Sequence, residues 1–230
     1  MEGVNGFMCG RYTLAYEDWS FMLEYFGLAA DSFFLPPRYN IAPGQMVPAV
    51  ISDGKRRRIG LLKWGLIPHW AKDPKIANQT INARSETLLQ RPAYQSLIQR
   101  KRCLLPADGF YEWKKNQDGK QPMRIVLTDR PVFAFAGLYD SWLSPSGEKV
   151  STCTVITTGA NELMAPIHHR MPVILNKESE AVWLDPDVRN TDQLLSLLQP
   201  YPHQAMRAYR VPAFVGSVKN DGPECIQELA

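Results

Sequence analysis

No stretch of the 230-residue chain approaches the roughly 18 to 20 consecutive apolar residues that a membrane-crossing helix needs, so a helical membrane protein is excluded. Cysteine is sparse and scattered. Cys9, Cys103, Cys153 and Cys225 form no C-x-x-C pair, so neither a zinc site nor a disulfide framework is expected, and a reduced cytoplasm is the expected compartment. The first eight residues, MEGVNGFM, have neither a basic nor an apolar signal region, which predicts no secretory leader. The glycines make no phosphate-binding loop, and G-x-S-x-G and H-E-x-x-H are both missing, which removes the commonest nucleotide-binding and hydrolase readings. Charge of one sign is also lacking. Lys and Arg total 26 against 23 Asp and Glu, a net charge of +3, so a polyanionic partner has to meet a local patch. No internal repeat, low-complexity tract or linker-like shift interrupts the chain, which predicts one domain.

What the chain does have is buriable surface and punctuation. Six Trp, nine Tyr and nine Phe exclude wholesale disorder, and a mean hydropathy of -0.26 is ordinary for a globular protein. Eighteen prolines and 15 glycines predict many turns and short elements. Apolar runs at Met46–Ile51, Ile59–Trp64, Phe110–Trp113, Met123–Leu127, Val132–Tyr139, Thr152–Thr157 and Pro172–Leu175 read as strands. Turn signals at Ser52–Gly54, Gln117–Gly119 and Pro145–Gly147 each join two such runs and predict hairpins. Helical spacing marks Tyr16–Phe26, Arg91–Gln99, Asn161–Ile167 and Lys177–Leu184, and Asn190 to Gln193 resembles a capping box before a leucine-rich turn. The expected class is mixed α/β of the α+β type, dominated by antiparallel hairpins. Strands do not alternate regularly with long helices, which disfavours a doubly wound parallel sheet.

Several polar groups stand in apolar surroundings. In Thr80 to Glu86, Asn82, Arg84 and Glu86 share one face if the stretch is extended; the alternative is a turn and a surface ion pair. Glu112 is a carboxylate among Phe110, Tyr111 and Trp113, where burial would keep it protonated as a general acid requires, unless it points outward from a half-buried strand. His168, His169 and Arg170 cluster at a helix-to-strand junction, where loops commonly carry function. Basic clusters occur at Lys55–Arg58, Arg100–Arg102 and Lys114–Lys115, with Trp70, Tyr111 and Trp113 beside lysines. A groove that neutralises phosphates and stacks bases needs that mixture, although the same residues also serve as solvated turns and core. Cys9 follows Met8. Should translation begin at Met8 and the initiator be removed, Cys9 would carry a free amine beside its thiol, and a 1,2-aminothiol condenses with an aldehyde to a thiazolidine.

Taken in order, Met8–Tyr12, Tyr39–Pro43, Trp64–Pro68, Ile81–Arg84, Pro106–Trp113, Ile167–Pro172 and Lys219–Asp221 resemble the SOS-response-associated peptidase family, the abasic-site processing proteins. The resemblance implies a single domain over residues 8 to 225, with a curved, barrel-like, mainly antiparallel β core and short peripheral helices. It implies a monomer that binds abasic sites in single-stranded DNA and needs no metal or cofactor. Such a protein would join its N-terminal cysteine covalently to the ring-opened sugar, with lyase and self-cleaving peptidase activity as accompanying expectations. Carried over, Cys9 is the nucleophile, Asn82 bonds the sugar or amine, Glu112 donates the proton and His168 assists proton transfer. Arg11, Arg84 and Arg170 hold phosphates; Asn40, Pro43, His69, Trp70 and Thr157 complete the DNA contacts, with Pro43 and Trp70 as the wedge. The cytoplasm, at the nucleoid when DNA is bound, is the implied location. One departure stands out: Met1 to Phe7 precede the Met-Cys with which the family begins, and are expected to be absent from the mature protein. Two other readings remain, a cysteine peptidase using Cys9, His168 and Glu112, and a passive single-strand binder. The first is disfavoured because no helix start follows Cys9 to depress its thiol pKa.

Overall fold

The structure, a computed structural model, describes residues 10–29, 34–117 and 119–230. In chain order the elements are β1 (Tyr12–Leu14), α1 (Trp19–Phe26), β2 (Arg38–Ile41), β3 (Met46–Ser52), β4 (Arg57–Trp64), β5 (Asn82–Arg84), β6 (Arg102–Ala107), β7 (Gly109–Asn116), β8 (Gly119–Leu127), β9 (Phe133–Leu143), β10 (Lys149–Gly159), β11 (Arg170–Pro172), β12 (Ile174–Leu175), α2 (Lys177–Leu184), α3 (Thr191–Ser196) and β13 (Met206–Arg210). Among the described residues no helix is long and apolar enough to cross a membrane.

Five strands close a barrel. β3 and β4 form a hairpin, β3 pairs with β6, β6 with β9, and β9 with β10, all antiparallel. The ring shuts where β10 runs parallel to β4, with Thr152 opposite Lys63 and Cys153 opposite Trp64. β5, β11 and β12 attach outside this ring. A second sheet, ordered β13-β8-β7-β1-β2, leans on the barrel. Their shared core is aromatic: Tyr12 of β1 meets Trp64 and Phe135 at ring separations of 5.4 and 5.6 Å, and Phe110 of β7 meets Phe135 at 6.1 Å. Edge-on packing of this kind couples the sheets into one body.

The predicted hairpins form at all three turns. Helices are fewer than the spacing predicts. α1 starts at Trp19, where the Asp18 carboxylate accepts from the Phe21 N–H at 2.9 Å and caps the first turn. Arg91–Gln99 and Asn161–Ile167 are successive turns; in the second, the Asn161 side chain takes the Met164 N–H and Pro166 supplies no donor. The Pro172–Leu175 run splits at Val173, as β11 pairs with β10 and β12 shifts to β9. α2 spans the expected residues, and Asn190 caps α3 by accepting from Gln193 N–H at 3.0 Å.

Candidate active site and nucleic-acid groove

Two adjoining cavities flank the turn after β4, the first where Gly10, Arg11 and Trp113 of β7 face it and the second between that turn and the segment from Asn82 to Tyr94. The first, about 790 Å³, is lined by Gly10, Arg11, Pro43, Lys63, Trp64, Lys75 and Trp113 among others. The second, about 640 Å³, is lined by Trp70, Asn82, Arg84, Arg91 and Tyr94. Asn78 and Ile81 line both, so the turn Pro74–Gln79 and Ile81 form the wall shared by the two halves of the site. Among the described residues no acidic side chain lines either cavity, whereas five cations do: Arg11, Lys63, Lys75, Arg84 and Arg91. An electropositive cleft with Trp113 in one half and Trp70 in the other has the make-up that anionic, base-bearing chains require.

Glu112 points inward from β7 and is 3% exposed, so the outward reading of this strand does not hold. The His168 Nδ1 lies 4.0 Å from its Oε1, outside hydrogen-bond range and inside range for charge pairing. The same Nδ1 also lies 3.2 Å from the Arg170 nitrogen and 3.3 Å from the Arg170 carbonyl oxygen, so the backbone of Arg170 holds the ring in place. The His169 ring stacks at 4.4 Å from His168, and desolvation together with His168, Arg170 and Arg84 pushes its pKa down. Asn82 opens β5, held by β10 through the pair with Val155. Glu86 leaves the face of Asn82 and Arg84, because the chain turns into a short 3-10 helix at Ser85. Cys9 lies outside the described residues, and Gly10 after it lines the first cavity.

The remaining expected DNA contacts divide into groove and interior. Trp70 is 51% exposed, and its loop is braced from below: the buried Asp140 carboxylate accepts from His69 N–H at 2.8 Å and from Lys101 Nζ at 2.6 Å, with His69 Nδ1 at 3.1 Å. Pro43 and Arg84 face the groove. Asn40, Thr157 and Arg170 instead face inward. Asn40 is fully buried, and its amide donates to three carbonyls of the chain's C-terminal part. Thr157 is fully buried beneath Arg170, which grips Glu86 with two bonds of 2.5 and 2.9 Å and the Thr157 carbonyl at 2.8 Å. Sequence reasoning missed Lys63, Arg91, Tyr94 and Asp140. Lys63 carried a signal, as a charge set between Leu62 and Trp64 in the apolar half of its strand.

Fold and groove thus define a mixed α+β protein in which a closed five-strand barrel carries a cationic, aromatic-lined cleft, with the buried Glu112 carboxylate 4.0 Å from the half-buried His168 ring. The family model for the SOS response associated peptidase (SRAP) matches residues 8–218, and the chain belongs to that family. It is 49% identical over 226 residues to the abasic site processing protein YoqW of Bacillus subtilis (strain 168), covering 96% of this chain and 99% of that one. It is 36% identical over 223 residues to the abasic site processing protein HMCES of Gallus gallus, covering 83% of this chain and 66% of that protein. A crystal structure of a Bacteroides thetaiotaomicron protein superposes with a TM-score of 0.87 at 30% identity, over 96% of this chain and 100% of the other.

Proposed function

We propose that this protein processes abasic sites in single-stranded DNA and that, once the residues before it are removed, Cys9 captures the sugar aldehyde covalently. The observation that carries this reading is the buried Glu112 beside His168, on the strand that pairs with the chain just after Cys9. β1 and β7 pair with Tyr12 opposite Phe110 and Thr13 opposite Gly109. Each step toward the chain start advances one place along β7, so Gly10 comes level with Glu112.

In this reading the α-amine of Cys9 attacks the aldehyde carbon of the ring-opened deoxyribose. Water leaves as the imine forms. The thiol then adds to the imine carbon; a C–S bond closes the thiazolidine ring and the sulfur's proton ends on nitrogen. An α-amine of pKa about 7.7 to 8.0 is roughly a tenth to a sixth neutral at pH 7, so the amine needs little activation. The harder steps are opening the sugar and expelling water, and both need a proton delivered to oxygen. Glu112 is the donor, with His168 close enough to bias its charge. Asn82, on the groove wall, holds the sugar. Arg84, with Lys63 and Lys75, neutralises the flanking phosphates, while Pro43 and Trp70 hold the bases apart. Arg170, Thr157 and Asn40 act by supporting these groups.

The test is Glu112→Gln, which keeps shape but donates no carboxylic proton. On an abasic oligonucleotide it should slow formation of a denaturation-stable adduct by about 100 to 10,000-fold with little loss of DNA affinity. Adduct formation at the parent rate would take the proton transfer away from Glu112. Reversible binding without any adduct by the parent protein beginning at Cys9 would leave a passive single-strand binder.

A further inference from the structure

The arginine next to the start of the described chain is tied to the other end of the protein. Arg11 Nη1 donates to Asn40 Oδ1 at 2.8 Å and to the Val215 carbonyl at 2.9 Å, and Nη2 donates to the Gly216 carbonyl at 2.9 Å. Asn40 in turn donates to the carbonyls of Val215, Ser217 and Asn220 at 2.9, 3.0 and 2.7 Å. Asp221 closes the loop from the far side. Its Oδ1 accepts from the Tyr39 and Asn40 N–H groups at 2.6 and 2.7 Å, and its Oδ2 accepts from Arg38 Nε at 2.5 Å. Three side chains thus fasten one segment, Val215 to Asp221, onto β1 and β2.

That segment belongs to the groove. Val218, 48% exposed, lines the first cavity together with Gly10, Arg11 and Trp113. The Arg11 guanidinium also lies 5.8 Å from the centre of the Trp113 ring. A guanidinium with three of its donors spent on two carbonyls and an amide is committed first to holding the chain, because losing it would leave the part-buried Asn40 Oδ1 and Val215 carbonyl short of a donor.

We propose that Arg11, Asn40 and Asp221 form a latch through which the C-terminal segment fixes the chain at Gly10, making them positioning residues for the reaction at Cys9. The inference rests on the covalent reading above, since only a reaction at the chain start needs that start held in place. A displacement of about 1 Å at a reacting group costs on the order of 100-fold in rate, whereas binding along the rest of the groove is unaffected.

The experiment uses the protein beginning at Cys9, with Asp221→Asn and, separately, Arg11→Gln. Three quantities are measured: the adduct-forming rate at saturating abasic single-stranded DNA, the salt dependence of binding, and hydrogen exchange at the Tyr111 amide, which donates to the Arg11 carbonyl at 3.0 Å. Both variants should exchange faster at Tyr111 and form adduct about 100-fold more slowly at saturation, Asp221→Asn with the parent salt slope. An Arg11→Gln protein that reacts at the parent rate but loses about one counterion from its salt slope makes Arg11 a phosphate contact and overturns the latch. Should the parent form no adduct, the covalent reading fails, and exchange at Tyr111 still decides: a parental rate in both variants overturns the latch. If Asp221→Asn loosens amides throughout the barrel, Arg11→Gln alone decides by the same readouts.

Discussion

Removing one carboxylate should stabilise this protein at neutral and alkaline pH. Glu180 of α2 is fully buried, and among the described residues neither carboxylate oxygen has a hydrogen-bond partner. Lys177 Nζ stands 3.5 Å from Oε2, at the outer limit of hydrogen bonding, and also donates to the Tyr25 carbonyl while lying over the Tyr25 ring. Burial pushes the Glu180 pKa from 4.5 up to about 7, against the opposing pull of Lys177, Arg57 and Arg130. Burial likewise pushes Lys177 down. For both groups, loss of water outweighs mutual attraction, as is common for ion pairs taken out of solvent.

Because the folded pKa lies above the unfolded one, the folded state holds a proton in this window that the unfolded chain has already released. The stabilisation is therefore complete below the unfolded value of 4.5 and fades as pH rises through about 7. A pKa raised from 4.5 to about 7 corresponds to about 3 kcal/mol. For a chain of this size that is roughly 6 to 12 °C in melting temperature. Glu180→Gln keeps the shape and removes the titration. Thermal unfolding of both proteins at about pH 5 and about pH 8 should show the variant gaining several degrees over the parent at the higher pH only. Parallel curves for the two proteins would refute the reasoning and mean that Glu180 is solvated or better paired than its burial implies.

Arg84→Ala should weaken single-stranded DNA binding for every sequence and lower the salt slope by about one counterion, measured by titration at several salt concentrations. Arg170→Ala should leave that slope unchanged and instead destabilise the fold by about 1 to 3 kcal/mol in denaturant unfolding, because the Thr157 carbonyl loses its buried partner.

The barrel was legible from the chain only in its hairpins. Period-2 runs and turn residues are local signals, and all three hairpins follow from them. The closing pair, β4 parallel to β10, joins strands about ninety residues apart and has no local signature. β1, β2, β5 and β13 escaped because three to five residues are too few to establish a period. β6 escaped for another reason: Pro106 argues against a strand paired on both sides, yet this strand pairs with β3 and β9. The chemistry of the site was more readable than its orientation. A glutamate among aromatics suggests burial, and Glu112 is buried. An asparagine or arginine in a short polar motif says nothing about which way it points, and Asn40 and Arg170 turn inward to serve carbonyls that only the assembled fold brings near.

The groove's own dividing wall depends on one residue without a side chain. Gly65 leaves β4 at φ +124°, a backbone conformation that side chains rarely adopt. A Cβ there would stand 2.9 Å from the carbonyl oxygen of Ala77 and 3.3 Å from its methyl group. That carbonyl already accepts from the Thr80 N–H at 3.3 Å, in the turn separating the two cavities, so it has no free direction in which to retreat. Gly65→Ala should therefore cost about 1 to 3 kcal/mol in backbone strain. At 2 to 4 °C per kcal/mol, the melting temperature should fall by about 2 to 12 °C, and DNA affinity should drop with it as the wall shifts. The control is Gly60→Ala on the same strand, where an added Cβ meets nothing within 4 Å. That variant should melt within about 1 °C of the parent or slightly above it, since alanine also narrows the unfolded ensemble. Equal melting of the two variants would show that the contact with Ala77 relaxes freely, and the wall between the cavities would then owe its position to something other than Gly65.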